Sequence, residues 1–255
     1  MPERLLSLAA GTVPELTPVE IVSVAAEAGW PATGLWFDGA SWNDDTTRGV
    51  RRALDDTGIR ALDLEPIFIT PDGDHGERMI DIAAAVGAGN LLAVGLGIEA
   101  PALIDRLGVL GDRAAGVGVT VALEFGRLFA THDLDSALGV VGRAGSSGLA
   151  VLVDALHLAR SGGSPDDVSG VDPALLPYLQ VCDATAEPTS DLRTDALDDR
   201  LLPGAGELPL SELVSALPAH TALSVELRSA QLRADLEPLE RARRVLDATR
   251  SLASL

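Results

Sequence analysis

Four side chains with oxygen donors occur in the second half of the chain, each close to the end of a short apolar run. Glu124 ends the run VALE, Asp154 ends LAVLVD, Gln180 lies in YLQV and Glu226 ends LSVE. A charged group beside an apolar segment is costly unless it is paired or binds a metal. Because the chain has no lysine to neutralise the three acids, these residues predict a divalent-cation site.

Each of these side chains also has an ordinary structural role available to it. Glu124 is compatible with a helix cap, Asp154 with the N-cap of a following helix, and Gln180 with a hydrogen-bonded core amide. Those roles would be unrelated to one another. A cation site accounts for all four positions together, so we favour it.

The runs that carry these residues belong to an alternation of short apolar segments and longer segments of helical period along the whole chain. The predicted strands are Leu5–Ala10, Thr33–Phe37, Ala61–Ile69, Leu91–Val94, Val119–Phe125, Leu149–Val153, Tyr178–Cys182 and Ala222–Leu227. The predicted helices are Pro18–Ala28, residues 46–56, 75–87, 100–115, 133–144, 209–217 and 236–252, and a weak one near 165–170. For the first helix, Thr17 and Glu20 have the spacing of a capping box.

Eight strand–helix units predict one α/β domain over residues 1–255, a single (β/α)8 TIM barrel, a fold that typically needs ~250 residues. A doubly wound sheet is disfavoured because no GxGxxG follows the first strand, and GVGVT at 116–120 precedes a strand. In a barrel, polar residues at the carboxyl ends of the strands point toward the active site. The fold would therefore bring the four oxygen donors to one rim.

The composition excludes several functions. With 38 acidic and 19 basic residues, the net charge of −19 argues against binding to nucleic acid or to an anionic membrane. All basic residues are arginines, so Schiff-base, pyridoxal-phosphate and P-loop chemistry, which need a lysine, are excluded. Aromatic residues make up only 3%, so the core must consist of Ala, Val, Leu and Ile. The single cysteine, Cys182, permits neither an intrachain disulfide nor a thiolate zinc cluster.

The N-terminal segment MPERLLSLAAG has too short an apolar run for a signal peptide, and no apolar stretch of ~18 residues predicts a membrane span. We therefore expect a cytoplasmic protein.

The longest polar stretch, DATAEPTSDLRTDALDD at 183–199, follows the seventh strand and would lie at the mouth of the barrel. It contains six acids and a single basic residue, Arg193. Acids overhanging the mouth would repel a phosphorylated compound. We therefore expect an uncharged sugar, a keto-polyol or a small hydroxy-carbonyl compound as substrate.

A set of motifs in residues 119–228 resembles the xylose isomerase-like barrels, the sugar phosphate isomerase/epimerase group. The motifs are, in chain order, Glu124; Asp154 followed by His157; Gln180 before Asp183; Arg200 before Pro203, Gly204 and Gly206; and Glu226 with Arg228. Each motif alone is weak, but their order and spacing together are specific. Gln180, in place of the histidine of ketose 3-epimerases, is nearest to the hydroxypyruvate isomerase-like branch.

This resemblance implies a metal-dependent isomerase or epimerase. Glu124, Asp154, Gln180 and Glu226 would hold the metal, and their oxygen donors suit Mg²⁺ or Mn²⁺ better than Zn²⁺. The metal would polarise a carbonyl group and stabilise the enediolate formed when the neighbouring C–H loses its proton. Glu124 and Glu226 would also be the catalytic acid/base pair.

Further residues are implied in substrate binding. By resemblance, His157 would bond to the substrate oxygen on which charge develops, and Arg200 would contact the substrate or a ligand carboxylate, with Arg228 nearby. Glu65 and Trp36 lie near other strand ends and are candidates to shape the pocket, although packing accounts for both equally well.

Two other functions remain open at this point. A dehydratase would expel a β-hydroxyl group from the same enediolate, and a non-catalytic carbohydrate-binding barrel would keep the fold without the chemistry. The resemblance also brings a homodimer into consideration, because members of the group often dimerise.

Overall fold

The eight strands lie parallel and side by side, and the eighth pairs with the first, so that the sheet closes into a barrel. The computed structural model describes residues 4–253. The strands are β1 (Leu6–Leu8), β2 (Ala32–Trp36), β3 (Arg60–Ile69), β4 (Asn90–Gly95), β5 (Thr120–Glu124), β6 (Leu149–Asp154), β7 (Tyr178–Val181) and β8 (Ala222–Val225). Every predicted strand is confirmed to within about two or three residues at each end, the usual error of boundary prediction.

The helices surround the barrel. They are α1 (Pro18–Ala28), α2 (Asp44–Thr57), α3 (Gly76–Val86), α4 (Ala100–Gly116), α5 (Leu134–Ala144), α6 (Ala155–Arg160), α7 (Pro165–Ser169), α8 (Leu192–Leu197), α9 (Leu210–Ser215), α10 (Ala230–Asp235) and α11 (Pro238–Ala253), with 3₁₀ turns at Ala10–Thr12 and Pro173–Leu175. The predicted helices are confirmed, the weak one as α7, and so is the capping box of Thr17 and Glu20. The sequence did not predict α6, α8 or α10.

The helix ends follow from local chemistry. Asn43, Asp133 and Ser164 each accept a hydrogen bond from a backbone N–H of the first turn that they cap. Gly29 ends α1 with φ +90°, a left-handed conformation that glycine adopts without a steric penalty.

Packing occurs in two layers. The outer layer lies between strands and helices and consists mainly of Leu, Val, Ile and Ala. The inner layer fills the barrel and includes Leu62, Leu92, Ala122, Leu152 and Tyr178. The core is thus aliphatic, as the low aromatic content predicts, and side chains fill the interior of the barrel below the rim.

None of the helices within residues 4–253 is long and apolar enough to cross a membrane. The first three residues of the N-terminal segment considered as a signal peptide lie outside the described residues. Leu6–Leu8 of that segment form β1.

Candidate active site

A cavity of about 390 Å³ opens at the carboxyl ends of the strands. This volume is within the range of ordinary small-molecule sites, about 300–1,000 Å³. Most of the residues predicted for the site line the cavity, namely Trp36, Glu65, Glu124, His157, Arg200, Glu226 and Arg228. The two others, Asp154 and Gln180, are fully buried on β6 and β7, which lie side by side.

Arg200 joins the acids of two strands. Its Nη1 donates a hydrogen bond to Oδ2 of Asp154 at 2.8 Å and lies 3.1 Å from Oε2 of Glu226. Its Nε donates to the backbone oxygen of Ala196 at 2.8 Å, which fixes the guanidinium from the other side. Arg200 thus contacts two of the carboxylates that the sequence proposes as metal ligands, Asp154 and Glu226.

Glu226 is paired with two arginines. Besides its contact with Arg200, its Oε1 accepts a hydrogen bond from Nε of Arg228 at 2.9 Å. Burial by itself would raise the pKa of Glu226, but the charges of Arg200 and Arg228 outweigh it and lower the pKa to about 2. Glu226 is therefore ionised at neutral pH.

The surroundings of Glu124 shift its pKa in the opposite direction to that of Glu226. Burial, together with the negative charges of Asp154 and Glu226, raises its pKa well above the usual range, and the two arginines offset this only in part. In the absence of a bound cation, the surroundings of Glu124 thus favour its protonated form. The two glutamates face one cavity with their pKa values shifted in opposite directions.

Asp154 combines the ordinary role considered for it with a role in the site. Its Oδ1 accepts a hydrogen bond from the backbone N–H of His157 and so caps α6, while its Oδ2 accepts from Arg200. The cap holds His157 at the cavity, where its ring makes an edge contact with Phe129 at 5.2 Å between centroids. Burial lowers the pKa of His157, which favours the neutral imidazole.

Glu65 and Gln180 form a buried pair across the barrel. Nε2 of Gln180 donates to Oε2 of Glu65 at 3.3 Å. Within the described part of the chain, Oε1 of each side chain is buried without a hydrogen-bond partner. Burial, with repulsion from Asp63 and Glu226, raises the pKa of Glu65 well above its usual range. Gln180 is therefore not the fully satisfied core amide of the ordinary interpretation.

The donors fit a hard divalent cation in type and in charge. Four oxygen-bearing side chains meet at one rim, and Oε1 of Gln180 has no partner among residues 4–253. Asp154 and Glu226 already accept from Arg200, but a carboxylate oxygen has a second lone pair, so these bonds do not exclude coordination. With the side chains as they stand, the described residues contain no group of three or more His, Cys, Asp or Glu side chains arranged to hold a metal.

Trp36 and Arg228 form one side of the cavity. The guanidinium carbon of Arg228 lies 5.3 Å from the centre of the Trp36 ring, a cation–π contact that keeps the arginine over the indole. Both residues therefore shape the pocket, as the strand-end position of Trp36 suggests.

The sequence missed the apolar part of the cavity. Leu92, Val94 and Leu96 alternate along and just after β4, and they line the cavity together with Phe68, Leu128 and Phe129. Their spacing of two residues is typical of side chains on one face of a strand, and it could have predicted that they lie together.

The expectation of an acidic rim over the mouth is wrong. None of the six acids of 183–199, all in the described part of the chain, lines the cavity, whereas Arg193, Ala196 and Leu197 of that segment do. Asp183 accepts backbone N–H groups from three residues, and Asp195 is paired with Arg160. These bonds hold the side chains of Asp183 and Asp195 away from the cavity.

Comparison with protein families gives a match to a family described as xylose isomerase-like TIM barrel, over residues 22–252. A comparison with curated proteins gives no significant match.

Several solved structures share the fold over nearly the whole chain. The IolI protein with a bound zinc atom has a TM-score of 0.84 at 18% identity, with 98% of each chain covered. The probable 3-DHS dehydratase AsbF from Bacillus anthracis has a TM-score of 0.76 at 15% identity, covering 95% of this chain and 97% of that one. D-allulose 3-epimerase from Methylomonas sp. has a TM-score of 0.74 at 13% identity, covering 98% and 99%.

A longer protein matches as well. The chain spans 42% of a xylose isomerase-like TIM barrel/4-hydroxyphenylpyruvate dioxygenase fusion protein, which covers 97% of this chain at 19% identity with a TM-score of 0.82. At such identities these likenesses show the shared fold alone.

Proposed function

Because the chain belongs to the xylose isomerase-like TIM barrel family, we propose that it is a metal-dependent isomerase or epimerase. The reaction would move a proton next to the carbonyl group of a small sugar, keto-polyol or hydroxy-carbonyl compound, through an enediolate. One observation carries this proposal. Glu124 and Glu226 line the same cavity, and their surroundings shift their pKa values in opposite directions.

Opposite pKa shifts are the arrangement expected of a pair in which one group accepts a proton and the other donates one. Glu226, held ionised by Arg200 and Arg228, would accept the proton from the carbon next to the carbonyl. Glu124, whose pKa is raised by burial, would be the group that returns a proton to the enediolate. Arg200 and neutral His157 would donate hydrogen bonds to the substrate oxygens on which negative charge develops. Arg228, Trp36 and Glu65 would complete the substrate-binding wall.

A divalent metal would be held by Glu124, Asp154, Gln180 and Glu226. When bound, it would act as a Lewis acid that stabilises negative charge on the substrate oxygens. Mg²⁺ or Mn²⁺ is our proposal for this all-oxygen set. The zinc-bound IolI structure supports a divalent metal in this fold but does not specify those ions.

The test is deuterium incorporation from D₂O, followed by NMR with Mg²⁺ over a panel of ketoses and small hydroxy-ketones. Isomerisation or epimerisation places deuterium in a product of unchanged composition. Glu124→Gln and Glu226→Gln should each slow the exchange by about 10²–10⁴-fold, the usual contribution of a general acid or base. Glu99→Gln, at an exposed position without a side-chain cap bond, is the matched control and should leave the exchange unchanged. Undiminished exchange in both active-site variants would disprove the acid/base assignment.

A dehydratase on the same site is the second candidate, and the shared fold of the probable dehydratase AsbF favours it over the non-catalytic alternative. The same NMR experiment separates the two reactions, because dehydration yields a product that has lost water.

The remaining expectations stay predictions. We propose a small-molecule substrate, no nucleic-acid or membrane partner, and a cytoplasmic location. Light scattering would measure the molar mass of the purified protein in solution and so test the proposed homodimer.

A further inference from the structure

The cavity has two chemically distinct walls. The polar wall carries the residues of the proposed reaction. The apolar wall consists of six residues from β3, β4 and the turns that follow β4 and β5. They are Phe68, Leu92, Val94, Leu96, Leu128 and Phe129. Phe68 and Leu128 remain 45% and 41% exposed, so this wall presents apolar surface that a ligand would cover.

The apolar wall has no side-chain donor or acceptor for a hydroxyl group. A sugar or polyol carries a hydroxyl group on almost every carbon, and each one that met this wall would lose its water without gaining a partner. An apolar segment, in contrast, would gain free energy from covering Phe68 and Leu128. The wall therefore favours a compound with an apolar segment over one that carries a hydroxyl group on every carbon.

A third element of the cavity is Arg193 on α8. Among residues 4–253 its guanidinium has no ion pair or hydrogen bond, although its backbone N–H donates to Oδ1 of Asp191. Arg200 and Arg228, the other arginines of the cavity, are both paired with Glu226. Arg193 is therefore a cation at the edge of the cavity whose charge is available to a ligand.

We propose that the substrate is a hydroxy-carbonyl compound with an apolar segment and a carboxylate group, and that Arg193 binds the carboxylate. This inference rests on the proposed function and names its substrate class. The planar guanidinium matches a carboxylate through two parallel hydrogen bonds. A phosphate dianion fits less well, because one arginine would leave it partly uncompensated in a protein of net charge −19.

The test uses a cyclic probe and two comparison compounds. The probe is 3-hydroxy-4-oxocyclohexane-1-carboxylate, its neutral counterpart is the primary amide, and fructose 6-phosphate represents a phosphorylated polyol. Binding is measured by calorimetry in the presence of Mg²⁺, and C–H exchange by NMR in D₂O. We expect the acid to bind at least about tenfold more tightly than the amide, as one charge-assisted hydrogen bond provides.

Arg193→Gln should reduce that preference to about twofold or less, because the amide cannot pair with the carboxylate charge. Arg127→Gln is the matched control, since Arg127 is also exposed but does not line this cavity, and the variant should keep the full preference. Both positions are exposed, and circular dichroism checks that both variants are folded.

Equal binding of acid and amide, a preference that survives Arg193→Gln, stronger binding of fructose 6-phosphate, or no binding of any compound would each overturn the inference. The proposed function fails separately. Arg193-dependent binding without C–H exchange supports the carboxylate site and contradicts proton transfer. Exchange that does not depend on Arg193 supports proton transfer and contradicts the carboxylate site.

Discussion

Asp63 is a carboxyl group enclosed by the barrel, below the candidate active site. Its Oδ2 accepts a hydrogen bond from the hydroxyl group of Tyr178 at 3.2 Å, and its Oδ1 is buried without a partner in the described part of the chain. Burial raises the pKa of Asp63 to about 7; the Tyr178 bond opposes this rise and the charge of Glu226 adds to it. Such a group lowers the stability of the folded protein whenever it is forced to ionise.

The sign of the pH dependence follows from proton binding. An unfolded aspartate titrates near ~3.9, so between about pH 4 and 7 the folded protein holds a proton that the unfolded chain has released. The free energy of unfolding therefore falls as the pH rises through this window.

We predict that Asp63→Asn makes the protein more stable at pH 8 by roughly 2–4 kcal/mol, because the amide keeps an acceptor for Tyr178 and has no charge to bury. The gain should shrink toward pH 4, where Asp63 itself is neutral. Urea unfolding at both pH values measures it, and the exposed Asp72→Asn is the control. A stability difference that does not change with pH would contradict the prediction.

At the scale of elements, the segment from Asp183 to Arg200 crosses the mouth of the barrel and is held in place by Arg160 at the end of α6. The side chain of Arg160 binds Asp195 of α8 at 2.8 Å and the backbone oxygens of Thr185 and Ala186 at 2.9 Å each. The ion pair is buried, with 6% and 4% of the two side chains exposed. Removing one partner of a buried pair leaves an uncompensated charge.

We predict that Arg160→Gln increases the rate of trypsin cleavage after Arg193 by at least about tenfold, because α8 will open locally at a lower free-energy cost. Trypsin is informative here since the chain has arginines but no lysine. Arg113→Gln, which breaks an exposed ion pair with Asp81, is the control. Unchanged cleavage after Arg193, with the barrel still folded, would show that Arg160 does not hold the segment.

A comparison of the elements shows which strands and helices could be predicted from the sequence. Strands and long helices follow from apolar period and capping residues, so β1–β8 and helices such as α1 could be predicted. The six-residue helices α8 and α10 begin at the N-caps Asp191 and Ser229, in polar sequence that also suits loops. Helix α6 follows the apolar run of β6 directly, so its six residues show no helical period of their own.

The candidate site, too, could be predicted from the sequence only in part. Barrel topology places Glu124, Asp154, Gln180 and Glu226 at one rim, so their grouping could be predicted from strand ends. The pairing of Arg200 with Asp154, which lies 46 residues before it, depends on side-chain positions across the barrel. The same holds for the pairing of Asp195 with Arg160, which keeps the Asp195 carboxylate away from the cavity.

At the scale of the whole molecule, the excess of acids is a source of self-repulsion. The net charge is −19, and several of the arginines are already used in exposed pairs such as Arg51 with Asp55. The remaining acids repel one another through solvent, over a screening length of ~30 Å at 0.01 M salt and ~10 Å at 0.1 M. Folding brings these charges together, so added salt should favour the folded state.

We predict that raising NaCl from about 10 to 100 mM increases Tm by about 2–4 °C, which for a chain of this size corresponds to about 1 kcal/mol. Scanning calorimetry measures the shift. Tetramethylammonium chloride at equal ionic strength should give the same increase, because screening does not depend on the identity of the cation. A fall in Tm, or an increase with sodium alone, would contradict screening as the cause.

The placement of the tryptophans gives the molecule an optical reporter. Trp30 and Trp42 are almost fully buried, and their indole nitrogens donate to Ala242 and Thr47. Trp36 alone among the three lines the cavity, beneath the guanidinium of Arg228. A ligand that entered would change the surroundings of this one indole and leave the other two unaffected. The intrinsic fluorescence of the unlabelled protein can therefore be titrated, with Trp36→Phe to identify the emitting residue, before any substrate is known.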